Sequence, residues 1–310
     1  MTKSTNILTA LLLGIVLTSC FTGVESTKKI TSKDVQKQER SSKNDTSLAM
    51  LDDISNTPFS SWQKGKCFIV TDDQIAMALT DSVGNYITTR LKGHVITYAS
   101  YSENNIYTDK PLVVLHFKDE AGGAYQYATH KSLDELGNGS AFRLPFTVEA
   151  DMVEYVRGLI QGKTFYIKTD NWYNRDGELT AGRKYVPVKI TAVTAGNMIY
   201  ALNVAFECDG KTAFVYVSSK NSSNRNRTFS SLFTQEDPHK NYPTISADTW
   251  TLIQNSKLRE GMTKDECHLS IGSPANTYKQ PSINGLSEIW QYSDGVFLNF
   301  TDGILVKFHK

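Results

Sequence analysis

The sequence predicts a multidomain protein in which two tandem small β units precede an α+β module, made of a helix pair and an antiparallel meander. Three observations predict this architecture. Strand-like segments recur in the same order at a spacing of about ninety residues, as in tandem repeats. A short helical pattern follows each repeat. The last sixty or so residues combine helix signals with strands joined by Asp-Gly turns.

The N-terminal residues have the pattern of an export signal. Lys3 precedes an apolar run at 7–16 that is too short to span a bilayer. The sequence LTSC at 17–20 resembles the lipobox of bacterial lipoproteins, and this resemblance implies a signal peptide at 1–19 and a lipid on Cys20. The alternative is an ordinary signal peptide that ends near a cysteine by coincidence.

The residue after Cys20 indicates which membrane holds the lipid anchor. Phe21 stands there, and not the aspartate that retains enteric lipoproteins in the inner membrane. The resemblance therefore implies a lipid anchor in the outer membrane, facing the periplasm. The membrane is one expected partner, through the lipid on Cys20, and an envelope protein is the other.

Charge and cysteine usage narrow the function. The chain has 33 basic and 32 acidic residues, and cleavage removes one basic residue, Lys3, so that both signs then number 32. A neutral chain without a polybasic patch argues against nucleic acid as a partner. Once Cys20 is lipidated, Cys67, Cys208 and Cys267 are left, which allow at most one disulfide.

Residues 20–58 are expected to form a lipidated, disordered tether. Between Ser26 and Asn56 the chain is rich in Lys, Ser, Asp and Gln and has few large apolar residues. Such a segment cannot bury enough apolar surface to offset the entropy lost on ordering. We expect a solvated linker without a recognition role.

Four pairs of similar segments define the repeat. They are GKCFIVTDD at 65 with GKTFYIKTDN at 162, HVITYA at 94 with VKITAV at 188, LHFKDEAGGAYQYAT at 115 with VAFECDGKTAFVYVS at 204, and LPFTVE at 144 with SLFTQE at 231. Alternating patterns predict a first β unit at 59–150, and a linker helix with the second unit at 151–243. By analogy of strand number and size, each unit is expected to be an SH3-like barrel or half-barrel.

The C-terminal module, predicted at 244–310, begins with two helices. Ser246 is placed to cap the first helix. Thr263 and Glu266 have the spacing of a capping box at the start of the second helix. Gly272 supplies the positive φ that a helix C-terminus commonly needs, so the second helix is predicted at 264–271.

A polar loop and three strands are predicted after the second helix. The strands SEIWQY, VFLNF and ILVKFH are joined by SDG and TDG, which suit tight hairpins. Helices on one face of such a meander leave its other face open to water. If Trp290 points toward the helices, Ile289 and Gln291 lie on the open side, and we expect them to contact a partner.

The order of motifs in this module resembles the small outer-membrane lipoprotein family SmpA/OmlA (BamE). The motifs are GMTKDEC at 261, GSP at 272, EIWQY at 288 and FTDGIL at 300. Cys267 stands where the family has valine and Ile271 where it has leucine, and both suit a core helix. The resemblance covers about 60 residues and implies a β-lactamase-inhibitor-like fold with a binding character.

No catalytic or metal-binding pattern accompanies this organisation. The histidines lack metal-ligand spacing, and the sequence has neither GxSxG nor a phosphate-binding loop. Cys208 has no recognisable base to activate it as a nucleophile. We therefore expect no catalysis, no metal and no small-molecule cofactor. Trp172 and Tyr173 are candidates for a ligand platform, with core or rim packing as the alternative.

These observations predict a non-catalytic outer-membrane lipoprotein that binds proteins or takes part in envelope assembly. Two alternatives stay open. The β units would suit a cell-wall glycan or peptide if they carry an aromatic groove. Inhibition of an envelope hydrolase would follow from the inhibitor-like fold if a loop projects from the last sheet.

Overall fold

Antiparallel β-sheet is the main secondary structure of the described residues. The computed structural model of the protein describes residues 50–105, 110–138, 142–220, 222, 224, 226–282 and 285–309. These residues form sheets of five, seven and four strands with short helices between them, an α+β architecture. All of them belong to one compact unit, Ser42–Lys310, in which each sheet has its own core. The predicted signal peptide at 1–19 and Cys20 lie outside the described residues.

The first β unit is a five-stranded sheet. Its elements are β1 (Cys67–Val70), β2 (Val95–Asn104), β3 (Leu112–Asp119), β4 (Ala124–Ala128), helix α1 (Leu133–Asn138) and β5 (Thr147–Glu149). The strand order is β4-β3-β2-β1-β5. Because alternate side chains point to one face of each strand, Phe68, Ile96 and Phe117 meet in its core.

The second β unit is a seven-stranded sheet preceded by the predicted linker helix. Its elements are α2 (Ala150–Ile160), β6 (Thr164–Ile167), β7 (Asn171–Tyr173), β8 (Leu179–Ala181), β9 (Val186–Ala195), β10 (Leu202–Cys208), β11 (Lys211–Val217), α3 (Phe229–Leu232) and β12 (Phe233–Thr234). The strand order is β12-β6-β9-β10-β11-β7-β8. Met152, Val153 and Val156 lie at helical spacing on α2 and pack into the core of this sheet.

The two sheets contain the same five-strand arrangement. The order β5-β1-β2-β3-β4 corresponds to β12-β6-β9-β10-β11, and the sequence repeat pairs the same strands. One segment match needs correction. Phe68 lies opposite Ile96. Its equivalent, Phe165, lies opposite Val188. Ile96 is therefore the equivalent of Val188, although the sequence match placed His94 there. A shift of two residues keeps each side chain on its own face, so alternation alone does not reveal it.

The second unit has a hairpin between its first two repeated strands. This hairpin, β7–β8, pairs with β11, whereas the matching connection in the first unit contains a 3₁₀ turn at Asp73–Met77. The hairpin carries Trp172 into the core against Phe206, with ring centroids 5.0 Å apart. Gly182 lies so near the indole that a Cβ there would meet a Trp172 ring atom at 2.3 Å. Trp172 is therefore a core residue that requires glycine beside it.

The folded part begins before the predicted end of the tether. Leu51 and Ile54 are buried, and both pack into the core of the second sheet. The Asp52 carboxylate accepts hydrogen bonds from the Ser230 amide and hydroxyl. The prediction of a tether over 20–58 is therefore wrong for residues 50–58. Isolated apolar residues within a polar segment do not signal burial when their partners lie far along the chain.

The C-terminal module has two helices and a four-stranded sheet. Its elements are α4 (Ala247–Gln254), α5 (Lys264–Ile271), β13 (Asn276–Ser282), β14 (Gly285–Gln291), β15 (Phe297–Thr301) and β16 (Ile304–His309), and the strand order follows the sequence. The prediction of three strands is wrong by one, since the polar segment at β13 pairs with β14 along its whole length. Trp250 and Ile253 of α4 and Cys267 of α5 share a core with the sheet.

Helix α4 ends at a serine in the left-handed region. Ser256 has a φ of 54°. Its amide donates to the Ile253 carbonyl, and the Lys257 amide donates to the Leu252 carbonyl, which together form a Schellman motif. The Ser256 hydroxyl also donates to the Asp170 carboxylate in the second β unit. The end of α4 is thus attached to the neighbouring sheet.

A buried lysine makes a second connection between these parts. The Lys184 amide donates to the Gln254 carbonyl, and its ammonium group donates to the Ser270 carbonyl. Burial lowers the pKa of Lys184, and the nearby Asp170 carboxylate opposes that effect. The second β unit and the C-terminal module are therefore fixed to each other at two points.

Candidate binding surface on the C-terminal sheet

Helix α5 is fixed to the sheet at its N-terminus. The Glu266 amide donates to Thr263 Oγ1 at 3.2 Å, and the Thr263 amide donates to Glu266 Oε2 at 2.7 Å. The predicted capping box and the helix bounds Lys264–Ile271 are confirmed. The Lys264 amide donates to the Gly303 carbonyl in the turn between β15 and β16. The cap therefore sets where the helix lies on the sheet.

The inner face of the sheet, beneath the helices, contains a buried carboxylate. Trp290 Nε1 donates to Glu288 Oε1 at 2.7 Å, and Lys264 Nζ donates to Glu288 Oε2 at 2.6 Å. Burial alone would raise the pKa of Glu288, but the hydrogen bonds from Lys264 and Trp290 outweigh it and lower the pKa below its ordinary value. Trp290 therefore points inward and is held in one orientation.

The opposite face of the sheet is open to solvent. The strand register places Tyr278, Ile289, Asn299 and Lys307 opposite one another in one row. Residues directly opposite in antiparallel strands share a face, so the whole row lies on the side away from Trp290. The next rows on this side contain Gln291, Phe297 and His309, and Thr301 with Ile304.

Large apolar side chains are concentrated on this side. Tyr278, Ile289, Phe297 and Ile304 are between 37% and 56% exposed. We call the surface formed by residues Tyr278, Ile289, Gln291, Phe297, Asn299, Ile304 and Lys307 the open face. Ile289 and Gln291 lie on it, as predicted from the inward position of Trp290. Asn299 lies opposite Ile289 and Gln291 lies opposite Phe297, which gives the surface the mixed character of protein-binding patches.

Tyr278, the most exposed of these apolar residues, was not among the predicted binding residues. It lies on β13, which was expected to be a loop because the segment NTYKQPS is polar and contains Pro281. Two signals favoured a strand. Proline is tolerated in edge strands, and β13 is an edge strand. The dipeptide Asn284-Gly285 that follows in the sequence is a strong hairpin signal.

The other candidate residues do not form a platform. Trp172 is 8% exposed and packs in the core of the second sheet, so almost none of its ring is available to a ligand. Tyr173 is half-buried and stacks on Phe214 with a centroid distance of 5.6 Å. Neighbouring residues of a strand point to opposite faces, which is why Trp172 and Tyr173 cannot serve the same ligand.

The potential metal ligands and the cysteines of the described residues are dispersed through the fold. No group of three or more His, Cys, Asp or Glu in this part of the chain is placed to hold a metal ion. Cys67, Cys208 and Cys267 are free thiols. Burial raises the pKa of the Cys208 thiol, and it raises that of Cys267 to about 12, so both stay protonated near neutral pH. Over the described ranges, no helix is long and apolar enough to cross a membrane.

Comparisons with known proteins add no identity. The chain matches no protein-family model, no curated protein and no solved structure.

Proposed function

We propose that this protein is a non-catalytic lipoprotein of the outer membrane, facing the periplasm, that binds an envelope protein through the open face. The observation that carries the proposal is the exposure of Tyr278, Ile289, Phe297 and Ile304 on one side of a sheet whose other side is covered by helices. Apolar side chains grouped on one exposed surface are typical of protein-binding sites.

The finer fold assignments are part of the same proposal. In both β units the order of the five shared strands, with a short helix before the last one, supports an SH3-like arrangement. A helix pair beside a meander supports the resemblance of 244–310 to the SmpA/OmlA (BamE) family. By analogy of fold, that family suggests a binding role for this module. The open face is the surface on which we place that role.

Crosslinking in living cells tests the contact. A photoreactive amino acid at Gln291, which lies on the open face opposite Phe297, should trap a defined envelope protein that mass spectrometry identifies. Adding Ile289→Lys and Phe297→Lys should abolish this adduct, because two buried ammonium groups would oppose the apolar contact. These side chains are exposed, so thermal unfolding should change little.

A matched control separates the surface from general hydrophobicity. Tyr155 on α2 is 50% exposed and lies outside the C-terminal module, so Tyr155→Lys should leave the adduct intact. An adduct that survives the paired open-face substitutions, or is lost equally in the Tyr155→Lys variant, would contradict the proposed contact.

The anchor has its own test. Cys20 follows an apolar run that is too short to span a bilayer, at a site that resembles a lipobox. Cys20→Ser should move the protein from the membrane fraction to the soluble periplasmic fraction. Unchanged membrane association of that variant would refute the lipid anchor and leave the open face unaffected.

A further inference from the structure

The second β unit has an open sheet edge beside a large cleft. Strand β8 (Leu179–Ala181) is the last strand of the seven-stranded sheet. It borders a cleft of about 990 Å³, whose walls also include the turn between β10 and β11 and the residues after α4. All three residues of β8 are exposed, and Leu179 is 62% exposed. A sheet edge and a cavity therefore meet at one place.

The hydrogen-bond pattern shows which backbone groups of β8 point away from β7. The Gly182 amide donates to the Asp170 carbonyl, and the Asn174 amide donates to the Glu178 carbonyl. Bonded pairs alternate along an antiparallel ladder, so Thr180, between these two points, bonds to β7. The amides and carbonyls of Leu179 and Ala181 consequently point away from β7, and they have no partner among the described residues. The edge thus offers two donors and two acceptors.

The acidic side chains that line the cleft have polar partners, whereas two of its lysines have no ion-pair partner among the described residues. Its acidic side chains are engaged, since Asp209 pairs with Arg183 and Asp170 accepts from Ser256. Lys211 and Lys257 also line the cleft, and neither has an ion-pair partner among the described residues. The cleft therefore presents two free positive charges next to unpaired backbone groups.

We infer that this edge and cleft bind an extended peptide segment of a partner protein that carries acidic side chains. The peptide adds a strand to β8 through the backbone groups of Leu179 and Ala181, and its carboxylates approach Lys211 and Lys257. Strand addition provides affinity through main-chain hydrogen bonds, and side-chain contacts in the cleft provide selectivity. The inference is independent of the open face and goes beyond the function proposed above.

Shape and charge together favour a peptide. A sugar has no run of amides and carbonyls at strand spacing to match Leu179 and Ala181. The aromatic residue that lines the cleft, Trp172, packs between Gly182 and Phe206 and offers no face for stacking. On β8 itself, Thr180 and Ala181 have short side chains, so a second backbone can approach this part of the strand closely.

A synthetic peptide tests this inference on the full-length protein in detergent. The probe is an end-blocked, fluorescent hexapeptide in which Glu and Val alternate, and its binding is followed by fluorescence anisotropy. We expect saturable binding that weakens with added salt. Lys211→Ser combined with Lys257→Ser should reduce affinity about five- to tenfold and flatten the salt dependence, as for two exposed ion pairs.

Further probes and variants test the backbone pairing with β8 and the charge contact separately. A probe of the same sequence with N-methylated alternate amides cannot pair with β8 and should lose binding. Ala181→Pro removes one edge amide and should also weaken binding, while Lys189→Ser, on the same sheet away from the cleft, should not. The inference is overturned if the N-methylated probe binds equally well, if free glutamate competes as efficiently as the probe, or if the paired lysine variant binds normally.

Discussion

The Ser256 hydroxyl donates a hydrogen bond to the Asp170 carboxylate, which ties the end of α4 to the second β unit. Ser256 occupies the position where a Schellman motif usually has glycine, with a φ of 54°. A left-handed conformation costs a non-glycine residue about 1 kcal/mol. The bond to Asp170 explains why serine is present, because glycine has no side chain to make it.

Two substitutions at Ser256 separate strain from bonding. Ser256→Gly and Ser256→Ala both lose the hydroxyl, but only alanine keeps the strained φ. We expect the glycine variant to be about 1 kcal/mol more stable than the alanine variant. The original protein should be the most stable, since a hydrogen bond to a charged group contributes about 1.5 kcal/mol or more. Urea unfolding provides the ranking, and equal stabilities of the two variants would argue against strain.

Gly182→Ala should disturb the core of the second unit. The new Cβ would lie 2.3 Å from a ring atom of Trp172, so the indole must move from its place against Phe206. Overpacking of this kind costs about 1–3 kcal/mol. Gly158→Ala is the matched control, since nothing lies within 4 Å of its Cβ position in α2, and it should gain about 0.5–1 kcal/mol. Thermal unfolding with tryptophan fluorescence would reveal both effects, and an unaltered Gly182→Ala protein would count against the packing described.

The stabilising contribution of Glu288 should be lost in acid. Its pKa in the folded state is below its ordinary value, because the bonds from Lys264 and Trp290 outweigh the effect of burial. A carboxyl of this kind stabilises the fold above its unfolded pKa of about 4.3, and the stabilisation is lost as the pH falls through the lower folded value. Glu288→Gln should therefore show a shallower loss of stability below about pH 5 in denaturant titrations. Identical pH profiles for the two proteins would contradict this assignment.

The helix cap and the core of the C-terminal module should contribute different amounts to the free energy of unfolding. Thr263→Ala removes one side of the capping box and should cost about 1 kcal/mol. Trp290→Ala removes a buried indole and leaves Glu288 without one of its donors, so it should cost about 3–5 kcal/mol. Unfolding curves, followed by near-UV circular dichroism, should show a shift for the first variant and loss of the module for the second. A larger effect from Thr263→Ala than from Trp290→Ala would reverse the order argued here.

Local signals in the sequence predicted local structure well. The helix at Lys264–Ile271 follows from Thr263, Glu266 and Gly272, whose effects act within a few residues of each other. The relation between the two β units also followed from sequence, because matching segments recur in the same order, and both sheets contain the same five-strand arrangement. The open face at Ile289 followed from the single fact that Trp290 points inward.

Features that depend on distant partners were not predictable in this way. The polar segment β13 becomes a strand because β14 supplies its hydrogen bonds, and its own composition favours a loop. Leu51 and Ile54 are buried by a sheet that begins more than a hundred residues later. The cleft beside β8 forms where Lys211 and Lys257 approach a hairpin, and no motif in the sequence marks that meeting.

The burial of Leu51 and Ile54 has a consequence for the order of events during folding. Asp52 and its partner Ser230 are separated by 178 positions. The early segment therefore has no place to pack until the distant second sheet has formed. The first β unit lies wholly within this interval, so it can fold before the segments on either side of it have packed together. The last folding step then closes a long loop that contains an already folded unit. Contacts between residues so distant in sequence form slowly.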